Sequence, residues 1–268
     1  MTIPPRKGAP QSHSLPPFFD LPTPRVIAHR GLATEVAENT LLAFLRAMAA
    51  GAPYLELDVH ASSDGVAMVS HDADLKRLTG RDDRVGDLTQ AELRRIELGD
   101  GQHFVSLAEL LDALPDARLN IDIKSASAVK PTVVAIRLAR ARDRVLIASF
   151  SDKRRRAVVR LLPGVATSAS STSTALALLG AKLGISALTR RALRGVHAVQ
   201  VPQSYGVIRI ATPRVIRSFH KAGVEVHIWT INDRDTMNRL LDLGIDGLVT
   251  DRADVAVRLL DDRSPQNR

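Results

Sequence analysis

The chain has 268 residues, 45% of them hydrophobic, and its 37 Lys and Arg outnumber its 29 Asp and Glu. That length supports one large core, and a parallel α/β barrel of roughly 250 residues would use almost all of it. The absence of cysteine excludes disulfides and thiolate metal ligands. The net charge of +8 draws anions, yet six Phe, two Tyr and one Trp offer little stacking surface to single-stranded nucleic acid.

In chain order, residues 1–24 come first, with seven of the fourteen prolines and no apolar run of signal-peptide length. They are expected to form a flexible, extended tail on a soluble, cytoplasmic protein. A strand-like run, Arg25-Val26-Ile27-Ala28, precedes a helix expected over 39–50, where Leu42, Leu45, Met48 and Ala49 repeat at helical spacing before Gly51. Further strand-like runs fall at 54–59, 66–70, 118–123, 144–148, 165–169, 197–201, 224–229 and 247–250. Helices are expected at 89–97 and 106–114, then near 130–141, 152–162, 172–180, 186–194, 213–222, 233–243 and 253–261. The most apolar late stretch, 175–188, is interrupted by Lys182 and is too short to span a bilayer.

This alternation predicts one TIM-like (β/α)8 barrel over 25–262, followed by a short tail at 263–268. Nine strand-like runs compete for eight places. Only residues 60–65 separate the second run from the third, whereas a parallel crossover needs a dozen or more residues. A hairpin or an irregular link is expected there.

Four charged islands sit at or just after strand ends: His29-Arg30-Gly31, Glu56-Leu57-Asp58, Ser70-His71-Asp72 and Asp122-Ile123-Lys124. Charge on strands is costly to bury unpaired, and a parallel barrel gathers its strand C-termini on one face. Glu56 and Asp58, two apart on a strand, face the same side. With Asp122 from another strand they could complete a carboxylate set for Mg²⁺ or Ca²⁺. His29 and His71 are candidates for an acid/base pair, because imidazole titrates near neutral pH. Arg30 and Lys124 are candidate anion holders. Asn39 is either a ligand-contacting residue or a helix N-cap, with Thr40 the alternative cap. Trp229, the only tryptophan, stands at the end of a strand-like run, where a core aromatic is the ordinary reading. His13, His103, His197, His220 and His227 lack comparable surroundings and read as ordinary hydrogen-bonded residues. The basic run 153–156 reads as a solvated face, with contact to an anionic membrane as the minor alternative.

The chain resembles the glycerophosphodiester phosphodiesterase family. The matching stretches are Ile27-Ala28-His29-Arg30-Gly31, Glu38-Asn39-Thr40, Glu56-Leu57-Asp58-Val59, His71-Asp72, Asp122-Ile123-Lys124, Ser149-Phe150, Trp229-Thr230-Ile231-Asn232 and the run 244–251 ending Val249-Thr250-Asp251. They stand in family order across nearly the whole chain. The resemblance implies metal-dependent hydrolysis of glycerophosphodiesters to glycerol 3-phosphate and an alcohol, in phospholipid metabolism. By the same resemblance, Glu56, Asp58 and Asp122 hold a divalent metal, Mg²⁺ or Ca²⁺, and His29 and His71 are catalytic. Arg30, Lys124, Asn39, Phe150 and Trp229 then contact the small-molecule phosphodiester, and the attacking group is water or the glycerol 2-hydroxyl. The family usually has Glu where this chain has Asp122, and Pro where it has Ala37 and Ala253. Alternative readings are phospholipase D-type cleavage of lysophospholipid or sphingolipid headgroups and a non-catalytic phosphate-binding barrel. A nucleic-acid partner is not expected; transient contact with a membrane surface is compatible with the charge.

Overall fold

The computed structural model describes residues 15–264. Eight parallel strands form the barrel: β1 (Arg25–His29), β2 (Tyr54–Ala61), β3 (Arg118–Ile123), β4 (Val145–Ala148), β5 (Ala166–Thr167), β6 (Ala198–Pro202), β7 (Glu225–Trp229) and β8 (Gly247–Thr250). They pair in the order β5-β4-β3-β2-β1-β8-β7-β6. A parallel bridge between Ser168 and Ala198 joins the two ends. The amide of Ala169 donates to the Ala198 carbonyl at 2.9 Å, so the short fifth strand still reaches its neighbour.

Strand alternation divides the core in two. Val26, Leu55, Leu57, Leu119, Ile121, Val226 and Leu248 point outward and pack on the helices. Ile27, Tyr54, Leu146, Ala166, Ala198 and Val249 point into the barrel. Helices follow at Leu41–Ala49, Leu107–Ala113, Val129–Leu138, Asp152–Leu161, Ser171–Leu183, Ser186–Ala192, Pro213–His220, Arg234–Asp242 and Ala253–Arg263. The apolar stretch at 175–188 is divided between two of them, and no helix among the described residues is long and apolar enough to cross a membrane.

The strand-like run outside the barrel is the third. Ala67–Val69 folds back antiparallel on β2, pairing Val59 with Val69 and Ala61 with Ala67. Asp64 accepts from the Ser62 hydroxyl at 2.6 Å inside the connecting turn. The excursion from there to residue 106 builds its own small core from Met68, Leu75, Val85, Leu93, Ile96 and Phe104. The helix expected over 89–97 is only Gln90–Leu93, opened by a Thr89–Glu92 capping box. Beyond it, Gly99 and Gly101 at positive φ turn residues 97–103 into a hairpin.

The expected extended tail is corrected for the residues described. Residues 1–14, with His13, and 265–268 lie outside them. Pro17–Phe19 forms a single 3-10 turn, and both Phe18 and Phe19 are buried against Ile27 and Tyr54 inside the barrel's N-terminal end. The rings of Phe18 and Tyr54 meet edge to face at 5.2 Å. The Tyr54 hydroxyl donates to the Phe18 carbonyl at 3.0 Å, and Arg25 donates to the Phe19 carbonyl at 2.9 Å. Arg25 also forms a bidentate pair with Glu225 at 2.9 and 2.8 Å, and Glu225 bonds to His227 at 3.0 Å. Two large apolar side chains and two carbonyl acceptors made this segment part of the core; proline content did not report that. Phe18→Ala should therefore destabilise the fold by ~3–5 kcal/mol in urea unfolding, as for other buried Phe truncations. An unchanged midpoint would show that the plug does not contribute.

Candidate active site

The opposite end of the barrel is open. There a cavity of about 680 Å³ has a polar floor that includes His29, Glu56, Asp58, His71, Asp122 and Lys124. The topology explains the convergence. His29 ends β1, Glu56 and Asp58 lie on β2, and Asp122 ends the inward-facing alternation of β3. His71 arrives on the antiparallel excursion, where the Ser70 amide donates to the Asp58 carbonyl at 2.9 Å.

Asp58 is buried and held by three partners. Lys124 Nζ lies 2.8 Å from Oδ1, while Arg30 Nε and Asn39 Nδ2 lie 3.3 and 3.2 Å from Oδ2. Burial opposes its ionisation, but the Lys124 ammonium, with help from Arg30, holds its pKa below the ordinary value. Lys124 also reaches Asp122 Oδ2 at 2.9 Å. Burial works against the ammonium, yet the two carboxylates push its pKa up to about 12. Glu56 has no such cation. Burial and neighbouring Asp58 push its pKa up to about 8.

The two histidines are set alike. His29 Nδ1 lies 2.7 Å from Asp251 Oδ1, and His71 Nδ1 lies 2.8 Å from Asp72 Oδ1. A carboxylate can only accept, so each Nδ1 carries the hydrogen and Nε2 is left for the site. His29 Nε2 stands 3.9 Å from Glu56 Oε2. Burial lowers the His29 pKa, but the bond to Asp251 and the charge of Glu56 together raise it above the ordinary value. Asp251 is fixed in turn by Asn232 Nδ2 at 2.7 Å. Asp72 is fixed by Arg77 Nε at 2.6 Å, and Arg77 also binds Glu38, which Arg30 meets at 3.0 Å.

Loop geometry follows from two left-handed residues. Arg30 and Asn39 both have φ of 57°, and the Asn39 amide donates to the Arg30 carbonyl at 2.9 Å. Asn tolerates this region and Arg rarely enters it. Thr40 is the N-cap, accepting from the Ala43 amide at 3.3 Å, while Asn39 bonds Asp58. Gly31, with φ of 89°, lies against helix Leu41–Ala49, where an added Cβ would come within 2.7 Å of the Ala43 backbone. Close approach to that helix is what demands glycine here.

Every residue expected at the site borders the cavity except Asn39, which stands behind Asp58. Phe150 and Trp229 meet edge to face at 6.3 Å across one wall. Arg30 and Lys124, the candidate anion holders, are both ion-paired in the structure, to Glu38 with Asp58 and to Asp58 with Asp122. Three positioning residues, Asp72, Arg77 and Asn232, were not singled out as site residues. The His71-Asp72 dipeptide was visible in sequence, but the approach of Arg77 and Asn232 depends on loop packing. His197, His220 and His227 are ordinary hydrogen-bonded residues, bound to the Thr167 amide, Asp246 and Glu225.

The donor set suits a hard cation in its chemistry. Asn39 Oδ1 and Asp122 Oδ1 are buried acceptors without a hydrogen-bond partner, and buried Glu56 has His29, at 3.9 Å, as its nearest cationic partner. Lys124 stands between Asp58 and Asp122, and among the described residues no three His, Asp or Glu side chains are grouped as a metal site.

Comparison with known proteins agrees with this geometry. Residues 29–255 match the sequence model of the glycerophosphoryl diester phosphodiesterase family. A probable glycerophosphodiester phosphodiesterase 2 of Mycobacterium tuberculosis is 44% identical over 231 residues, covering 85% of this chain and 88% of the relative. The crystal structure of a glycerophosphodiester phosphodiesterase from Thermotoga maritima is 30% identical with a TM-score of 0.69, covering 87% of this chain and 97% of that one. An Oleispira antarctica phosphodiesterase solved with its product sn-glycerol-3-phosphate shares the fold at 22% identity and a TM-score of 0.75, covering 89% and 97%. The chain belongs to the glycerophosphoryl diester phosphodiesterase family.

Proposed function

We propose that this chain hydrolyses glycerophosphodiesters to glycerol 3-phosphate and an alcohol, with a divalent cation bound at the acidic cluster. The observation that carries the reading is the pair of carboxylate-anchored histidines, His29 with Asp251 and His71 with Asp72, at one cavity floor. Hydrolysis of a phosphodiester needs a proton accepted from the attacking hydroxyl and a proton given to the leaving alkoxide. Two imidazoles with Nδ1 already committed supply both through Nε2. Lys124 and Arg30, which line the cavity, would hold the phosphoryl oxygens, and their ion pairs to Asp58 keep them in place before substrate arrives. Glu56, Asp58 and Asp122, with Asn39 Oδ1, would hold Mg²⁺ or Ca²⁺, which would neutralise charge on the phosphoryl oxygens. The shorter Asp122, where the family usually has Glu, favours the more tolerant Ca²⁺ or a water-bridged contact.

A second reading has its own observation. The other half of the cavity is apolar, lined by Ala175, Leu178, Val201, Pro202, Ile208 and Ile210. A glycerophosphodiester with a small headgroup leaves that wall wet, whereas one acyl chain would cover it. This supports lysophospholipids as additional substrates of the same two-histidine site.

The deciding experiment assays product from glycerophosphocholine and lysophosphatidylcholine, with and without EDTA. Both should turn over, EDTA should abolish both, and Asp122→Ala should need more metal for half-activity. Activity unaffected by EDTA would overturn the metal reading, and no product from either substrate would overturn the enzyme reading.

His71→Ala should lower turnover by ~10²-fold or more, the usual contribution of a positioned acid or base. His220→Ala, whose partner Asp246 lies away from the cavity, should leave turnover unchanged.

The His29–Asp251 pair also sets a pH dependence. A histidine pKa raised by folding stabilises the fold below its unfolded value of 6.5, and that stability is lost as pH rises through the folded value. Asp251, lowered by folding, contributes above its unfolded value of 3.8 and loses that as pH falls through its folded value. Asp251→Asn should thus cost most between these limits, by less than ~1 kcal/mol because Asp251 is half exposed. The His29 ring pKa, read by NMR, should fall in Asp251→Asn. An unmoved His29 pKa would remove Asp251 from the acid/base machinery.

A further inference from the structure

One feature of the sequence is not used by the active site. Residues 153–224 contain thirteen Lys and Arg and no Asp or Glu, so the remainder of the chain is net acidic. In the fold this stretch includes helix Ser171–Leu183 and the hairpin formed by Ser204–Tyr205 and Ile208–Arg209, and both border the cavity mouth.

Helix Ser171–Leu183 has three faces. Ala177, Gly180 and Ala181 are buried against the protein, and Thr174, Ala175 and Leu178 line the cavity. Leu176, Leu179 and Leu183, three and four apart, form the third face and are 45%, 50% and 61% exposed. Gly180 is required by the packed face, since an added Cβ would lie 2.7 Å from the Thr189 hydroxyl. Beside this helix the hairpin presents Tyr205, 75% exposed, and Val207, fully exposed at its tip. The helix and the hairpin both border the same cavity, so these exposed apolar side chains belong to one end of the barrel rather than being scattered over it.

The charged residues of the helix and of the hairpin have one sign. Lys182 and Arg209 lie on these two elements, and the start of helix Asp152–Leu161 adds Lys153 beside exposed Phe150. A second cavity, reached from Ser173, is lined by Arg155, Arg156, Arg191 and Arg194. Asp152 pairs with the first two of these and lies just outside the acid-free stretch.

We propose that this rim of the mouth docks on an anionic lipid bilayer, with the hairpin tip and the outer leucines entering the headgroup boundary. Apolar side chains ringed by cations match a surface that is apolar beneath and negative above. A nucleic acid would use the cations but leave the leucines and Val207 in water. The site would then open on the membrane, so that a lipid phosphodiester can enter without crossing bulk solvent. The docking is a binding property, and its test needs no turnover, so it stands or falls apart from the phosphodiesterase reading.

The chain has no cysteine, so one introduced thiol carries a unique label. Val207→Cys and Leu138→Cys would each be labelled with a polarity-sensitive fluorophore. Leu138, 79% exposed, ends helix Val129–Leu138 and lies outside the acid-free stretch. The labelled proteins would be mixed with vesicles of equal parts phosphatidylglycerol and phosphatidylcholine, with phosphatidylcholine vesicles alone, and with duplex DNA. The expected result is a blue shift at position 207 only, on the anionic vesicles, that weakens at high salt. Val207→Asp should lose co-sedimentation with those vesicles while keeping its melting temperature, and co-sedimentation retained at the wild-type level would overturn the proposal. No shift at position 207, an equal shift at both positions, or a shift on DNA as large as on vesicles would overturn the proposal.

Discussion

Asp58 is a carboxylate buried at the mouth of the barrel, and the surrounding site is organised by the need to compensate it. An ionised carboxylate with almost no water contact is tolerated only where cations and hydrogen-bond donors surround it. Lys124, Arg30 and Asn39 do so from three different segments, at 2.8, 3.3 and 3.2 Å. Each partner then acquires a constraint of its own. Arg30 and Asn39 adopt left-handed backbone, and Lys124 is shared with Asp122. Glu56, two residues away on the same strand, has His29 at 3.9 Å as its nearest cationic partner, and burial with the charge of Asp58 pushes its pKa up. One buried charge thus fixes the loop after β1, the end of β3 and the protonation of its neighbour.

The two ends of the barrel make the same problem visible in opposite forms. At the N-terminal end, Arg25, Glu225, His227 and Tyr54 satisfy one another, and the turn with Phe18 and Phe19 closes over them. At the C-terminal end Asn39 Oδ1, Asn120 Oδ1 and Asp122 Oδ1 are buried without a partner. A closed polar cluster serves stability. An incompletely satisfied one beside an open cavity is suited to a ligand. The histidines follow this division: His227 is buried and bonded to Glu225, whereas His29 and His71 are partly exposed with only one nitrogen engaged.

Much of the fold was legible because helical and strand periodicities are local. The eight barrel strands match the expected runs within a residue or two, except β5, where only Ala166 and Thr167 of the expected 165–169 pair as strand. Beyond them Ser168 still bridges to Ala198, so the barrel closes with little ladder. The shortened helix at Gln90–Leu93 and the packed segment 15–24 were not legible for a different reason. Both depend on which distant surface an apolar side chain reaches: Leu93 enters the small core over β2's hairpin, and Phe18 enters the barrel. Local composition, rich in proline or charge, carries no record of that destination.

The site divides along the same line. The kinds of chemistry present can be read along the chain: two histidines, three acids, a lysine and an arginine at or just after strand ends, in an order that resembles one enzyme family. Strand alternation alone places Glu56 and Asp58 on one side. How these charges are shared was set by folding. It gave Lys124 to two carboxylates, set Asp251 and Asp72 behind the histidines, and made Thr40 the helix cap and Asn39 a partner of Asp58. It also gathered an acid-free, apolar-tipped rim around the same opening. Such assignments depend on distances between segments far apart in the chain, and the energy of a buried charge depends on those distances rather than on spacing along the sequence.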